Sequence, residues 1–181
     1  MYCVLYICEQ NIHSLFALKR RNATHLLGYI FMKIILYQPD IAGNFGAIMR
    51  SCACFNIDLE VIEPCGFPLT SKAIRLAAMD YGTTQGIVRH KSWEKFLEVP
   101  ESGRLVLLTT KGLTPLNDFQ FQKDDRLIFG RESAGVPETV HSASDEKIII
   151  PIATGMRSFN LATSVVISAY EGLRQLKCLP K

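Results

Sequence analysis

No apolar run in this 181-residue chain approaches the roughly 20 residues that a bilayer-spanning helix needs, which excludes a helical membrane protein. Charge of one sign is scarce as well. Twenty basic against 17 acidic residues leave a formal net charge of +3, far short of a uniformly basic nucleic-acid binder. Six cysteines (Cys3, Cys8, Cys52, Cys54, Cys65 and Cys178) fall at no paired-motif spacing, so neither a zinc ribbon nor a disulfide framework is encoded. Cys52-x-Cys54 would place two thiols on different faces of a helix, and Cys65, His90 and His141 are scattered, so no metal site is expected and the cysteines read as core filling. No G-x-G-x-x-G follows the first strand-like run and no P-loop motif occurs, which removes the corresponding dinucleotide and nucleotide sites. Linkers, internal repeats and low-complexity tracts are also missing, so the chain reads as one domain whose length suffices for a buried core.

The first 31 residues differ from the rest. Their basic cluster, Lys19 to Arg21, follows the apolar stretch instead of preceding it, which makes a poor secretory signal. A clean strand, "KIILY", begins directly after Met32, so residues 1–31 read as an N-terminal extension with Met32 as the expected biological start and 32–181 as the working domain. The extension carries three basic residues and one acidic, which leaves 17 against 16 in the remainder. Any nucleic-acid contact must therefore come from a local patch. The expected compartment is the reducing cytoplasm.

What is present is alternation. Short β-branched or Leu-rich runs, "KIILY" (33–37), "LEVIE" (59–63), "GIVRH" (86–90), "RLVLLTT" (104–110), "RLIFG" (126–130) and "KIIIPI" (147–152), are separated by helical patterns. Those patterns are "GAIMRSCACF", "SKAIRLAAM", "SWEKFLE" and "PETVHSA". The order predicts an α/β fold, a mostly parallel sheet with helices on both faces. Leu161, Val165, Ala169, Leu173 and Leu176 then form one apolar stripe down a final helix of about five turns.

Ligands of such sheets bind beyond the carboxyl ends of the strands. Four loops there are rich in Gly and polar residues: "QPDIAGNFG", "TTKG", "GRESAGVP" and "ATGMRSFN". In "GNFGAIMR", Asn44 is placed to cap a helix whose open first turn and Arg50 would face one anion, although a capped helix with a surface arginine explains the same residues. "GRESAGVP" misses the nucleophile elbow G-x-S-x-G by one residue, because Arg131 occupies its first position, so serine-hydrolase chemistry is not encoded. Gly130 and Gly135 instead allow a close backbone approach, with Arg131 and Glu132 fixing the loop by charge. In "GMRSFNLATS", Ser158 and Asn160 suit a helix start.

Taken in order, "NFGAIMR", "IFGRESAGVP" and "IPIATGMRSFNLATS" resemble the three motifs of the SPOUT methyltransferases. "LYQPDIAGNFGAIMR" and "IEPCGFPL" are similar to the small tRNA 2′-O-methyltransferase group that modifies the wobble nucleotide, cytidine or carboxymethylaminomethyluridine. The resemblance covers essentially all of 32–178. It implies a C-terminal deep trefoil knot, a homodimer, and S-adenosylmethionine bound in the knot by Leu108, Gly130, Ile150 and Ser158. It also implies that Arg50 and Asn160 are catalytic and that the partner is the anticodon stem-loop of tRNA.

A guanidinium stays protonated, so Arg50 is expected to hold an RNA phosphate and orient the 2′-hydroxyl instead of acting as the base itself. Tyr170 also matches the group, and packing at a dimer face is its expected role. Two departures stand out. "NLATS" replaces the common "NLSNA", leaving Ala162 without a side-chain hydrogen bond, and Arg131 stands where relatives often have proline, as a candidate RNA contact. Arg75, Arg89, Lys91, Lys111 and Arg157 complete the candidate RNA surface. Two alternatives stay open: the same reaction at another tRNA or rRNA position, and a non-catalytic knotted RNA-binding dimer.

Overall fold

Runs such as "KIILY" and "RLIF" carry no polar alternation because both of their faces are covered, and the computed structural model, which describes residues 32–70 and 87–180, shows why. Among the described residues, seven strands form one sheet in the order β3-β2-β1-β6-β4-β7-β5, and every strand pair is parallel. In chain order they are β1 (Lys33–Tyr37), β2 (Asp58–Ile62), β3 (Val88–His90), β4 (Leu105–Leu108), β5 (Thr114–Pro115), β6 (Arg126–Phe129) and β7 (Glu146–Ile149). The described helices are α1 (Ala42–Phe55), α2 (Trp93–Leu97), α3 (Glu138–Ala143) and α4 (Leu161–Gln175).

β1 lies between β2 and β6, with Ile35 beside Glu60 on one side and Ile128 on the other. Side chains of one parity, Ile35, Tyr37, Leu105, Leu107 and Ile128, join Trp93 and Phe96 of α2 and Val140 of α3 in one buried cluster. The other parity, Ile34, Leu36, Val106 and Leu127, faces the opposite way, toward the layer where α1 packs on α4. Each fully buried Ile or Leu contributes about 1.5–3 kcal/mol relative to exposure, so the sheet centre dominates stability.

α1 buries Phe45, Ile48, Met49 and Cys52, the i, i+3, i+4, i+7 stripe of a half-buried helix. It ends where Asn56 turns left-handed (φ 55°), with the Ile57 N–H returning to the Cys52 carbonyl. α4 buries Val165, Ala169 and Leu173, as its stripe predicts, but stops at Gln175, with Leu176 as its C-cap. A Cβ at Gly172 would lie 2.9 Å from Met32 Sδ, so this glycine lets α4 close onto the start of β1. Gln175 ties the helix end down by donating to the Phe119 carbonyl (2.9 Å) and accepting from the Phe121 N–H (3.1 Å). The buried carboxylates are paired: Glu60 accepts from Lys33 (2.9 Å) and meets His90 Nε2 at 2.7 Å, and Arg104 clamps Asp125 with two 2.9 Å bonds.

Several boundaries differ from expectation for local reasons. α1 begins at Ala42, four residues before "GAIMRSCACF", so Asn44 lies inside the first turn and Ile41 is the N-cap. The "KIIIPI" strand starts one residue early, at Glu146, and stops at Ile149, because Pro151 has no N–H to give a ladder. The "RLVLLTT" strand likewise ends at Leu108. β5 has only two residues, too few to leave a periodic signal. Of the cysteines, Cys52 is buried as core filling but Cys54 is exposed. The expected helix "SKAIRLAAM", Arg75, and the reading of 1–31 as an extension ahead of Met32 lie outside the described residues.

Candidate functional site

The carboxyl ends of β1, β4, β6 and β7 meet where the sheet order reverses direction around β6, which is where open α/β sheets bind ligands. A cavity of about 490 Å³ opens there. All four Gly-rich and polar loops reach it: Ile41 and Asn44 from the first, Thr109 and Thr110 from the second, Gly130 to Glu132 and Gly135 from the third, Ser158 to Asn160 from the fourth. Leu107, Leu108, Phe129, Ile149 and Ile150 form an apolar floor beneath this polar rim.

The sequence-predicted residues separate into two groups. Leu108, Gly130, Ile150, Ser158 and Asn160 all line the cavity. Arg50 does not; it is exposed on α1, six residues beyond Asn44 and so about 9 Å further along the helix axis. Tyr170 is 48% exposed on α4, and its ring lies 6.5 Å from that of Phe55 on α1.

Backbone geometry builds the loop after β6. The Arg131 N–H donates to the Gly135 carbonyl (3.1 Å) and the Gly135 N–H returns to the Arg131 carbonyl (2.9 Å), closing a small hairpin. A Cβ at Gly130 would lie 2.5 Å from the Gly135 carbonyl carbon, so the closure demands glycine at 130. Arg131 and Glu132, expected to fix the loop by charge, tie the hairpin to the loop after β1 through hydrogen bonds to neutral partners. Arg131 Nη2 donates to Gln38 Oε1, and its guanidinium lies 5.9 Å from the Tyr37 ring centroid. The candidate RNA contact at Arg131 is thus engaged within the protein. Glu132 Oε2 accepts the Asp40 N–H (2.8 Å) while Oε1 accepts from Asn44 Nδ2 (2.8 Å). Asp40 in turn accepts from the Ser133 hydroxyl and backbone N–H, and these bonds hold its carboxyl below the usual carboxylate range.

Asn44 is therefore not a cap but a bridge. Its Oδ1 accepts from Asn160 Nδ2 at 2.9 Å, joining the first and fourth loops. Asn160 is the N-cap of α4, and its Oδ1 accepts from the N–H groups of Ala162 (2.9 Å) and Thr163 (3.3 Å). Because the cap uses only backbone groups of those two residues, the departure from "NLSNA" leaves it intact. Sequence reasoning singled out Asn44, Glu132 and Asn160 separately and missed that they form one chain. Their partners are 88 and 116 positions apart, beyond any local spacing signal.

Among the candidate RNA contacts, Arg89 is paired with Glu63 (2.6 Å) and with the Leu69 carbonyl (3.2 Å). Lys91, Lys111 and Arg157 are exposed, Lys111 immediately after the cavity-lining Thr110. Burial pushes the Cys52 thiol up to about 12 and the Cys65 thiol up to about 11, so neither supplies a thiolate at neutral pH. Among the described residues no helix is long and apolar enough to cross a membrane.

Comparison with known proteins agrees with the motif order. Residues 32–170 match the SpoU rRNA Methylase family. The tRNA (cytidine(34)-2'-O)-methyltransferase of Beijerinckia indica is 44% identical over 150 residues, covering 82% of this chain and 94% of that protein. A solved structure described as giving structural insights into the 2-OH methylation of C/U34 on tRNA superposes with a TM-score of 0.77 at 36% identity, covering 82% of this chain and 97% of that one. The SpoU methyltransferase AviRb from Streptomyces viridochromogenes, in complex with AdoMet, shares the fold with a TM-score of 0.72 at 22% identity, over 85% of this chain and 61% of that one. With most of its length matched, and with the matched motifs forming the loops around one cavity, this chain belongs to the SpoU methylase family.

Proposed function

We propose that this protein is an S-adenosylmethionine-dependent tRNA 2′-O-methyltransferase that modifies the wobble ribose at position 34. The observation that carries the reading is the 44% identity, over 82% of the chain, to a relative named for that reaction. The cavity agrees with the cofactor. Its volume is in the range of small-molecule sites, and its apolar floor with a rim of hydroxyls, carboxamides and strand-end backbone suits an adenine and a polar tail. Leu108 and Ile150 would flank the adenine, Gly130 would let the backbone approach, and Ser158 would offer its hydroxyl.

S-adenosylmethionine supplies an activated methyl group on a sulfonium. The chain's own task is to bring the ribose hydroxyl in line and ease loss of its proton. Arg50 would hold an RNA phosphate from the exposed face of α1, orienting the 2′-hydroxyl while the phosphate passes the proton on. Asn160 would present its carboxamide at the cavity rim. Residues 32–181 form the working domain of this reading, 1–31 lie ahead of it, and the family's trefoil knot, homodimer and cytoplasmic location belong to it. The anticodon stem-loop is the expected contact of the dimer.

Calorimetry with S-adenosylmethionine, followed by mapping of 2′-O-methylation in tRNA from cells lacking the protein, tests the proposal. One cofactor per chain and loss of methylation at nucleotide 34 are expected. Unchanged wobble riboses overturn it.

A further inference from the structure

The chain of hydrogen bonds across the cavity has a direction. A carboxylate only accepts, so Glu132 obliges the carboxamide of Asn44 to turn its NH₂ toward it, at 2.8 Å. Asn44 is then left with its oxygen facing Asn160, which must donate through Nδ2, at 2.9 Å. Asn160 is in turn left with its oxygen facing the start of α4, where Ala162 and Thr163 present N–H groups that only donate. Both ends of the relay enforce the same orientation. The far oxygen of Glu132 is occupied by the Asp40 N–H at 2.8 Å, so the carboxylate cannot turn away without leaving a donor unmet.

We propose that Glu132 is a positioning residue for methyl transfer: through Asn44 it sets the orientation of the Asn160 carboxamide and locks the first, third and fourth loops in one register around the cavity. The inference rests on the methyltransferase reading. Its physical content is the polarity of the relay, which makes a specific pattern of rescue.

Glu132→Gln keeps shape but adds a donor. If its amide oxygen keeps the Asp40 N–H, its NH₂ confronts that of Asn44. Asn44 and then Asn160 must turn over, and the mismatch passes to the α4 cap. If its oxygen keeps Asn44 instead, its NH₂ confronts the Asp40 N–H. Asn44→Asp fails differently, by placing a second carboxylate against Glu132. Combining the two removes both conflicts: the amide introduced at position 132 donates to the carboxylate introduced at position 44, whose other oxygen accepts from Asn160, and the net charge equals that of the unaltered protein.

The test compares these variants of the full chain at saturating S-adenosylmethionine and tRNA. Each single change is expected to lower kcat by about tenfold to a hundredfold, as a misplaced reacting group does, and E132Q with N44D together to recover most of that loss. Calorimetry should still count one cofactor per chain in every variant, which separates misorientation from a loss of folded protein. Wild-type kcat in E132Q, or a double variant whose losses multiply, overturns the inference. Absence of methyl transfer by the unaltered protein overturns the functional reading instead, and the relay is then judged on thermal unfolding: each single change lowers the midpoint and the pair restores it, whereas additive lowering contradicts it.

Discussion

At the scale of single residues, Arg50 and Asp40 make opposite demands on charge. Arg50 is exposed, and its proposed phosphate contact depends on a planar fork that lysine lacks. Arg50→Lys should therefore lose most methyl transfer while the affinity for S-adenosylmethionine, measured by calorimetry, stays within about twofold, because Arg50 does not line the cavity. Full activity in that variant removes Arg50 from the mechanism. Asp40 depends on staying ionised. Its folded-state value is lowered by the Ser133 hydroxyl and backbone N–H, so its contribution is complete above the ordinary carboxylate range and is lost as pH falls through the lowered value. Ser133→Ala should raise the Asp40 titration midpoint seen by NMR, and an unchanged midpoint would show that the hydroxyl bond is idle. The cap at Asn160 and the close approach at Gly130 were legible because each leaves a local residue type, whereas Ser158 lines the cavity two residues ahead of that cap. The bridge role of Asn44 was not legible, because it depends on a partner 116 positions away.

At the scale of elements, the loops hold the site and the strands hold the loops. Gly130 carries a direct steric consequence for the site. Alanine there would place a Cβ 2.5 Å from the Gly135 backbone, so Gly130→Ala should open the hairpin that carries Arg131 and Glu132 and weaken cofactor binding at least tenfold in calorimetry. Leu127, fully buried on β6 between β1 and β4 and outside the cavity lining, is a control of the other kind: Leu127→Ala should cost about 2–5 kcal/mol in denaturant unfolding, through cavity creation in the core. Six of the described strands were legible as apolar runs, the central ones because parallel strands there are buried on both faces, whereas the two-residue β5 was not. The strand ends were less legible. Ile150, Pro151 and Ile152 continue an apolar pattern that the ladder cannot follow, and that overrun is where Ile150 and Ile152 become cavity wall.

At the scale of the molecule, the near balance of charge limits how RNA is held. Residues from Met32 onward carry almost equal numbers of basic and acidic groups, and Arg89 and Arg131 are engaged within the protein. In the proposed function, affinity for tRNA comes from a few phosphate contacts, shared between the two chains of a dimer. Sedimentation at working concentration should accordingly show two chains per particle, and a fully active monomer would contradict the dimer in the proposal. Fold class was legible from the alternation of runs and helical patterns, whereas strand order was not, because no local signal places β6 between β1 and β4.

The central claim is the chemistry at one ribose. Purified protein, incubated with labelled S-adenosylmethionine and tRNA lacking the modification, should transfer the methyl group to the 2′-oxygen of nucleotide 34 and to no other nucleotide. Methylation mapped to a different position, or none in a preparation that binds the cofactor, would contradict the account.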